Sequence, residues 1–357
     1  MITLDGAHGE GGGQILRTAL SLAAIQGRAV RIERIRAGRP KPGLAAQHLT
    51  VVRALAEICA AQVTGAEIGS QRLTFVPGQL PQAGNYRFDV AAARRGGSAG
   101  SVTLLLHALL PALAQAEGDS SLRLSGGTHV DWSPPWPYIE EVYLPLLDEL
   151  GLYAEGKLLR WGWYPVGGGE IACHVAGDWN PLPFRRTERG SLLHLAGLVA
   201  SSRLPRHIVR READHVRRLL SDAGHEIELT VLPDAPSIGA GNGVFIIAYY
   251  QSGAAGFSTL GRRGRPAAEV AATACQRFLA FHNGGAVADR HLADQLILPL
   301  ALAAGASTFT AEAMTDHLST NLWVVQHFIS LDVQTESPEN GTVRLTLSPN
   351  ERGAARV

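Results

Sequence analysis

The sequence predicts an α+β protein of three β-α-β-α-β-β repeats, with a smaller α/β domain inserted into the third. Three observations carry this expectation. A Gly-rich or small-residue entry leads into an apolar helix at residues 9–27 (GEGGGQILRTALSLAAIQG), 95–118 (RGGSAGSVTLLLHALLPALAQAEG) and 287–305 (VADRHLADQLILPLALAAG). Each of these segments is followed by the same succession of strand, helix and two strands. The period breaks over residues 181–280, which fit none of the three copies.

The elements follow in order. MITL at the start reads as a short apolar strand before the run Gly9–Gly13. In each first helix Leu and Ala recur at helical spacing, as a helix with one buried face requires. Strand candidates come next: AVRIERIRAG, SSLRLSGGTH and ASTFTAE. Second helices are LAAQHLTVVRALAEICAA, YIEEVYLPLLDELG and HLSTNLWVVQHFI, and each leads to a hairpin whose last strand alternates, as in RLTFV and VRLTL. Within the interruption, SLLHLAGLVAS, HEIELTVLP and GVFIIAYYQSG read as strands, and PRHIVRREADHVRRLLSDAG and RPAAEVAATACQRFLAFH as helices. Residues 1–180 then hold repeats one and two with the start of repeat three, 181–280 the insert, and 281–357 the remainder of repeat three.

Composition narrows the class. Hydrophobic residues at 46% and charged residues at 18% describe a soluble globular chain, and no apolar run is long enough to span a bilayer. The first residues carry neither a basic nor an apolar signal-peptide region. Cys59, Cys173 and Cys275 have no zinc spacing and an odd count, which points to a reducing cytoplasm. A formal net charge of zero argues against coating long nucleic acid, which needs a basic stripe. Basic residues nevertheless crowd at Arg28, Arg31, Arg34, Arg36, Arg39 and Lys41, interleaved with Gly38, Pro40, Pro42 and Gly43. A solvated loop is the plain reading of such a run; rigid presentation of guanidinium groups to a phosphate is the functional one. The common signatures are absent: no G-x-x-x-x-G-K-[ST], no dinucleotide-binding glycine spacing, no G-x-S-x-G and no H-E-x-x-H.

Seven stretches in order point to one family. They are DGAHGEGGGQILRTALSLA (5–23), IRAGRPKPGLAAQHLT (35–50), GGSAGSVTLLLHALLPAL (96–113), SGGTHVDWSPP (125–135), YPVGGGE (164–170), HLADQLILPLALA (291–303) and DHLSTNLWVV (316–325). With them the sequence resembles the RNA 3′-terminal phosphate cyclases over essentially its whole length. The resemblance implies three repeats like the C-terminal domain of the third bacterial initiation factor, with an insert of thioredoxin-like topology. It also implies a reaction: ATP-dependent conversion of an RNA 3′-phosphate end to a 2′,3′-cyclic phosphate through a covalent histidine–AMP, with a divalent cation, Mg²⁺ or Mn²⁺. By the same resemblance His317 is the nucleophile, and Arg17, Arg36, Arg39 and Gln47 serve the phosphates. Asp294 and Gln295, with Leu292 and Ala293, belong to a segment that contacts the nucleotide. His291 stands where an aromatic stacks on adenine, and Pro134 packs against it. His107 replaces a glutamine that contacts the nucleotide, and Glu10 is a metal-linked carboxylate.

Plainer roles stand beside these. Asp294 suits a helix start without any ligand. Glu10 suits the capping of the first helix, and His317 could serve only its own helix end. His48 and His327 read as ordinary helix residues, and Trp132, Trp136, Trp161 and Trp163 as core or hairpin packing more readily than as stacking surfaces for RNA bases. Two other functions compete: a non-catalytic, RNA-binding ribosome-assembly relative of the same fold, and an enolpyruvyl transferase built on similar repeats.

Zero net charge with one local basic cluster predicts recognition of an RNA end rather than of its length. Affinity should fall sharply when the 3′-phosphate is removed and change only modestly as nucleotides are added upstream. A binding titration across oligonucleotide lengths, with and without the phosphate, checks this.

Overall fold

Three sheets share a single strand order. In the computed structural model, which describes residues 1–93, 98–337 and 341–349, the first sheet runs Ile2–Asp5, Val30–Glu33, Leu73–Val76, Gln62–Thr64. The second runs Asn85–Asp89, Ser120–Gly126, Gly169–Val175, Ala154–Arg160, and the third Arg185–Arg186, Ser307–Ala311, Val343–Pro349, Leu331–Glu336. In every sheet the first two strands are parallel and the other neighbours antiparallel. A parallel neighbour needs a crossover. Helix Gly13–Gln26 supplies it in repeat one and Val102–Ala114 in repeat two. In repeat three the crossover holds the insert as well as the two helical segments Leu292–Gln295 and Ile297–Leu302. The second helices are Ala46–Ile58, the continuous run of Trp136–Tyr138, Ile139–Tyr143 and Leu144–Glu149, and Asp316–Gln326.

The mixed α and β class is as the sequence predicts. Two opening strands were not legible in it. Asn85–Asp89 is NYRFD, with no fully buried position, and Arg185–Arg186 is two arginines paired in parallel with Thr308–Phe309. Neither has an apolar run to announce it. Residues 94–97 of the glycine entry of repeat two, 338–340 and 350–357 lie outside the described residues.

The helices meet at the centre. Gly13–Gln26 packs on Val102–Ala114 and on Asp316–Gln326, and Ala46–Ile58 on Val102–Ala114. Leu16, Leu20, Leu106, Leu109, Leu318 and Val325 share one core there. Burying such side chains contributes about 1.5–3 kcal/mol each. It leaves the helix N-termini of repeats one and three at a common cleft.

Residues 192–284 carry a sheet of their own, ordered Glu228–Leu232, Leu192–Ser202, Gly241–Tyr250, Gly253–Leu260. The third of these strands in sequence runs antiparallel to both neighbours, and Leu192–Ser202 pairs in parallel with Glu228–Leu232. Helices Arg206–Asp222 and Ala267–Gly284 cover one face. The centre of strand Gly241–Tyr250, Val244–Ala248, is apolar because both its faces are buried. Val244, Ile246 and Ala248 face the helices, while Phe245 meets Trp161 and Trp163 of repeat two. The added strand Gly253–Leu260 is GAAGFSTL, too rich in small residues to be read as a strand; pairing with Gly241–Tyr250 makes it one. Trp136, Trp161 and Trp163 are buried, as the packing reading of these residues holds, and Trp132 is not. All three cysteines are free and buried. Among the described residues no helix is long and apolar enough to cross a membrane.

Candidate active site

The cleft lies where repeat one meets repeat three. His317 is the second residue of helix Asp316–Gln326. The capping work there belongs to Thr315, whose Oγ1 accepts from Leu318 N at 3.1 Å, so His317 is not needed as a cap. Its ring is half-exposed, and Nδ1 stands 2.7 Å from Gln14 Oε1. The other end of the Gln14 amide, Nε2, donates to Asp294 Oδ2 at 2.6 Å. This network assigns the hydrogens. The ionised Asp294 carboxylate can only accept, so above its raised pKa the amide nitrogen faces Asp294 and the amide oxygen faces His317. Nδ1 therefore carries the proton, and the lone pair of the neutral ring sits on Nε2. Burial, with Arg17, His291 and Arg39 nearby, holds the imidazole below its usual pKa against the opposing pull of Asp316. The ring is neutral at pH 7, as a nucleophile requires.

Arg17 and Arg39 stand near this ring, and Arg36 lies by His48. The Arg17 guanidinium is crowded enough that burial lowers its pKa to about 10 despite Asp294. Arg36 has a left-handed backbone (φ 51) and donates through Nη1 to Gly43 O at 2.7 Å, which fixes its direction. Arg39 donates to Glu10 O at 3.1 Å and pairs with the Glu10 carboxylate. That carboxylate does not cap the first helix, whose N-terminus at Gly12 has no side-chain cap. An uncapped N-terminus beside three arginines is a setting for phosphate. Gly9 (φ 54) permits the approach of Thr320, whose Oγ1 accepts from Glu10 N at 3.0 Å. A Cβ at Gly9 would collide with that hydroxyl.

Glu10 Oε2 is buried without a hydrogen-bond partner among the described residues and lies 3.9 Å from His317 Nδ1. No group of three or more His, Cys, Asp or Glu side chains is placed to hold a metal among those residues. One free carboxylate oxygen fits a cation of the magnesium kind, which takes most of its ligands from water and substrate phosphates.

A second part of the cleft is less charged. His107 is partly buried, its enclosed Nε2 has no hydrogen-bond partner among the described residues, and desolvation with Arg17 nearby lowers its pKa to about 3. Its ring lies 4.9 Å from that of Tyr143, whose hydroxyl is also unpartnered there, as is Gln295 Oε1. Pro134 is reached through hydrogen bonds. Thr103 Oγ1 donates to Pro134 O at 2.7 Å and lies 2.7 Å from Ser101 Oγ; Ser101 N in turn donates to Gln47 Oε1 at 3.1 Å. His291 is exposed at the start of its helix. Leu292 and Ala293 are core residues, and their backbone N–H groups already donate to Asp289. They face inward because the helix turns its apolar side to the core, so the structure does not bring them to the cleft surface. Asp289, not Asp294, caps that helix, accepting from the N–H groups of His291 and Leu292.

Two residues of the cleft escaped the sequence reading. Gln14 is a single amide among apolar helix residues, and nothing in its spacing marks it. His48 reads as an ordinary helix residue, yet it is buried, accepts from Ala45 N through Nδ1 at 3.1 Å and presses against Gly13. Burial and the neighbouring Arg17 and Arg36 lower its pKa to about 3.

Known proteins align with this arrangement along the whole chain. The family described as RNA 3′-terminal phosphate cyclase matches residues 8–335. A relative from Methylococcus capsulatus bearing that name is 50% identical over 100% of this chain and 99% of its own. One from Nostoc punctiforme is 48% identical over 92% of this chain and 94% of its own, and one from Pyrococcus furiosus 39% identical over 97% and 98%. The chain belongs to the RNA 3′-terminal phosphate cyclase family. That is a family of enzymes, and every cleft residue named above lies inside the matched span.

Asp294 gives this cyclase-family cleft a pH signature. Burial raises its carboxyl from 3.8 to about 7, more than the Gln14 hydrogen bond and Arg17 lower it. A raised carboxyl pKa means the folded state holds a proton that the unfolded state releases, so stability is full below pH 4 and lost as pH rises to 7. Asp294→Asn keeps the acceptor for Gln14 and removes the titration. Thermal melts from pH 4 to 7 should show wild type losing on the order of 2 kcal/mol relative to the variant across that window.

Proposed function

We propose that this protein converts an RNA 3′-phosphate to a 2′,3′-cyclic phosphate at the expense of ATP, through an AMP joined to His317. The observation that carries this is the Asp294–Gln14–His317 chain, which holds the proton on Nδ1 and leaves Nε2 free beside Arg17 and Arg39. Nε2 attacks the α-phosphorus and pyrophosphate departs with the electrons of the broken P–O bond. The ring gains positive charge, which the Nδ1–H bond to Gln14 Oε1 spreads and the nearby Glu10 carboxylate balances. An oxygen of the RNA 3′-phosphate then attacks the same phosphorus and restores Nε2. The end now carries AMP as a leaving group; the adjacent 2′-oxygen loses its proton, closes on the 3′-phosphorus and expels AMP. That last step is intramolecular and gains from proximity.

The arginines orient and neutralise the phosphates in each step. Pro134, His107, Gln295 and His291 line the nucleoside end. Mg²⁺ or Mn²⁺ would be held by Glu10 with the substrate phosphates, and would offset their charge.

Full-length protein mixed with α-labelled ATP and divalent cation, then denatured, should retain label in a bond stable to alkali and labile to acid, as a phosphoramidate is. His317→Ala should lose the label without a change in thermal melt, and His327→Ala, at an exposed helix end, should keep it. Label that persists in His317→Ala, or resists acid, removes this mechanism. Lack of any adduct with intact RNA binding would favour the non-catalytic, ribosome-assembly alternative.

Arg36→Ala and Arg39→Ala should each remain folded by circular dichroism and lose cyclase activity. The loss should match a charged hydrogen bond of about 1.5–3 kcal/mol, or roughly ten- to hundred-fold in kcat/KM.

A further inference from the structure

We propose that Trp132 and the arginine loop of the insert form a track for single-stranded RNA just upstream of the reacting end, the indole stacking one base and the arginines meeting its phosphates. This rests on RNA being the substrate and adds the residues that hold it outside the cleft.

Trp132 is 94% exposed, whereas Trp136, Trp161 and Trp163 are each 6% exposed or less. Its backbone is left-handed (φ 63), an unfavourable setting for a bulky side chain. Neither burial nor backbone comfort explains this residue. The loop around it is held firmly all the same. Ser133 Oγ donates to Val130 O at 2.9 Å, Trp136 N to Thr128 O at 3.2 Å, and Pro134 O accepts from Thr103 as described. An indole held outward on a braced loop is a surface prepared for a flat partner.

Its surroundings supply the charge. Arg262 of the insert reaches across to Asp131, the residue before Trp132, Nη2 to Oδ2 at 3.2 Å, and Arg263 follows it in the chain, while Arg265 is held by Glu269. Arg262 and Arg263 are exposed, and among the described residues Arg263 forms no salt bridge. An aromatic face flanked by arginines is the chemistry of single-strand binding, where bases stack and phosphates meet cations. The link through Thr103, Ser101 and Gln47 connects this loop to helix Ala46–Ile58, whose His48 lies against the first helix of the cleft. The track is short, in keeping with a net charge of zero. It also gives the insert a part in the reaction.

The test uses the full chain, a ten-nucleotide RNA ending in 3′-phosphate and a nucleoside 3′-phosphate, with Trp132→Ala, Trp132→Phe and Arg263→Ala. Losing one stacked base should raise KM for the ten-mer about ten-fold in Trp132→Ala, with Trp132→Phe recovering most of it. KM for the nucleoside 3′-phosphate and labelling by ATP without RNA should not change. Arg263→Ala should flatten the salt dependence of ten-mer binding by about one phosphate contact. Ten-mer binding should quench wild-type tryptophan fluorescence, and Trp132→Ala should lose most of that quench. An unchanged KM and quench in Trp132→Ala overturns the track. So does a fall in RNA-free labelling, which would assign the indole to the nucleotide. Absence of labelling in wild type would strike the proposed reaction instead, and the fluorescence titration would still decide the track.

Discussion

The Gln14 side chain is the constraint on which the cleft depends. Its amide has one orientation only, because one end faces a carboxyl and the other an imidazole. That orientation chooses the tautomer of His317 and so which ring nitrogen keeps a free lone pair. It also dictates packing. The first helix of repeat one must lie against both helices of repeat three, and further polar contacts hold it there. Thr18 Oγ1 donates to Asn321 Oδ1 at 2.7 Å, and Asn321 Nδ2 to Asp294 O at 2.6 Å. Hydrogen bonds of this kind between buried groups contribute about 1 kcal/mol each but cost more when one partner is lost. They favour a single register of the three helices.

Repetition explains how so few polar residues meet. The corresponding helices of three similar units converge on one point, and each brings something different. Repeat one contributes Gln14, Arg17, Gln47 and His48; repeat two, His107; repeat three, Asp294 and His317. The apolar faces are alike and make the core, while the helix positions turned to the cleft have diverged into chemistry.

Electrostatics in the cleft are arranged by burial more than by count. Arg17, His48 and His317 are held below their usual pKa and Asp294 above it, the direction that desolvation gives to each kind of group. An environment that disfavours charge keeps the His317 imidazole neutral and leaves Arg17 and Arg36 without an ion pair among the described residues. Phosphates are well suited to fill that lack, so a chain with no net charge can still hold a highly charged end.

How much of this was legible depends on the signal each feature leaves. The repeats declared themselves because helical and strand periodicities reflect which face is buried, and burial is written residue by residue. His317, Arg17, Arg36, Arg39 and Glu10 stood out by their place in long matched stretches. Asn85–Asp89, Arg185–Arg186 and Gly253–Leu260 left no such trace, since neighbouring strands, not their own side chains, make them strands. Gln14 and His48 were silent for a related reason: a polar residue on a helix looks the same whether it meets water or another side chain. By itself the sequence determined the helices, the strands that bury an apolar face, their order and the chemical inventory. Only the tertiary structure decided which nitrogen of His317 is free, which aspartate caps a helix and which one orients an amide, and that Trp132 faces outward while Trp136, Trp161 and Trp163 do not, because each of these is set by contacts between segments far apart in the chain.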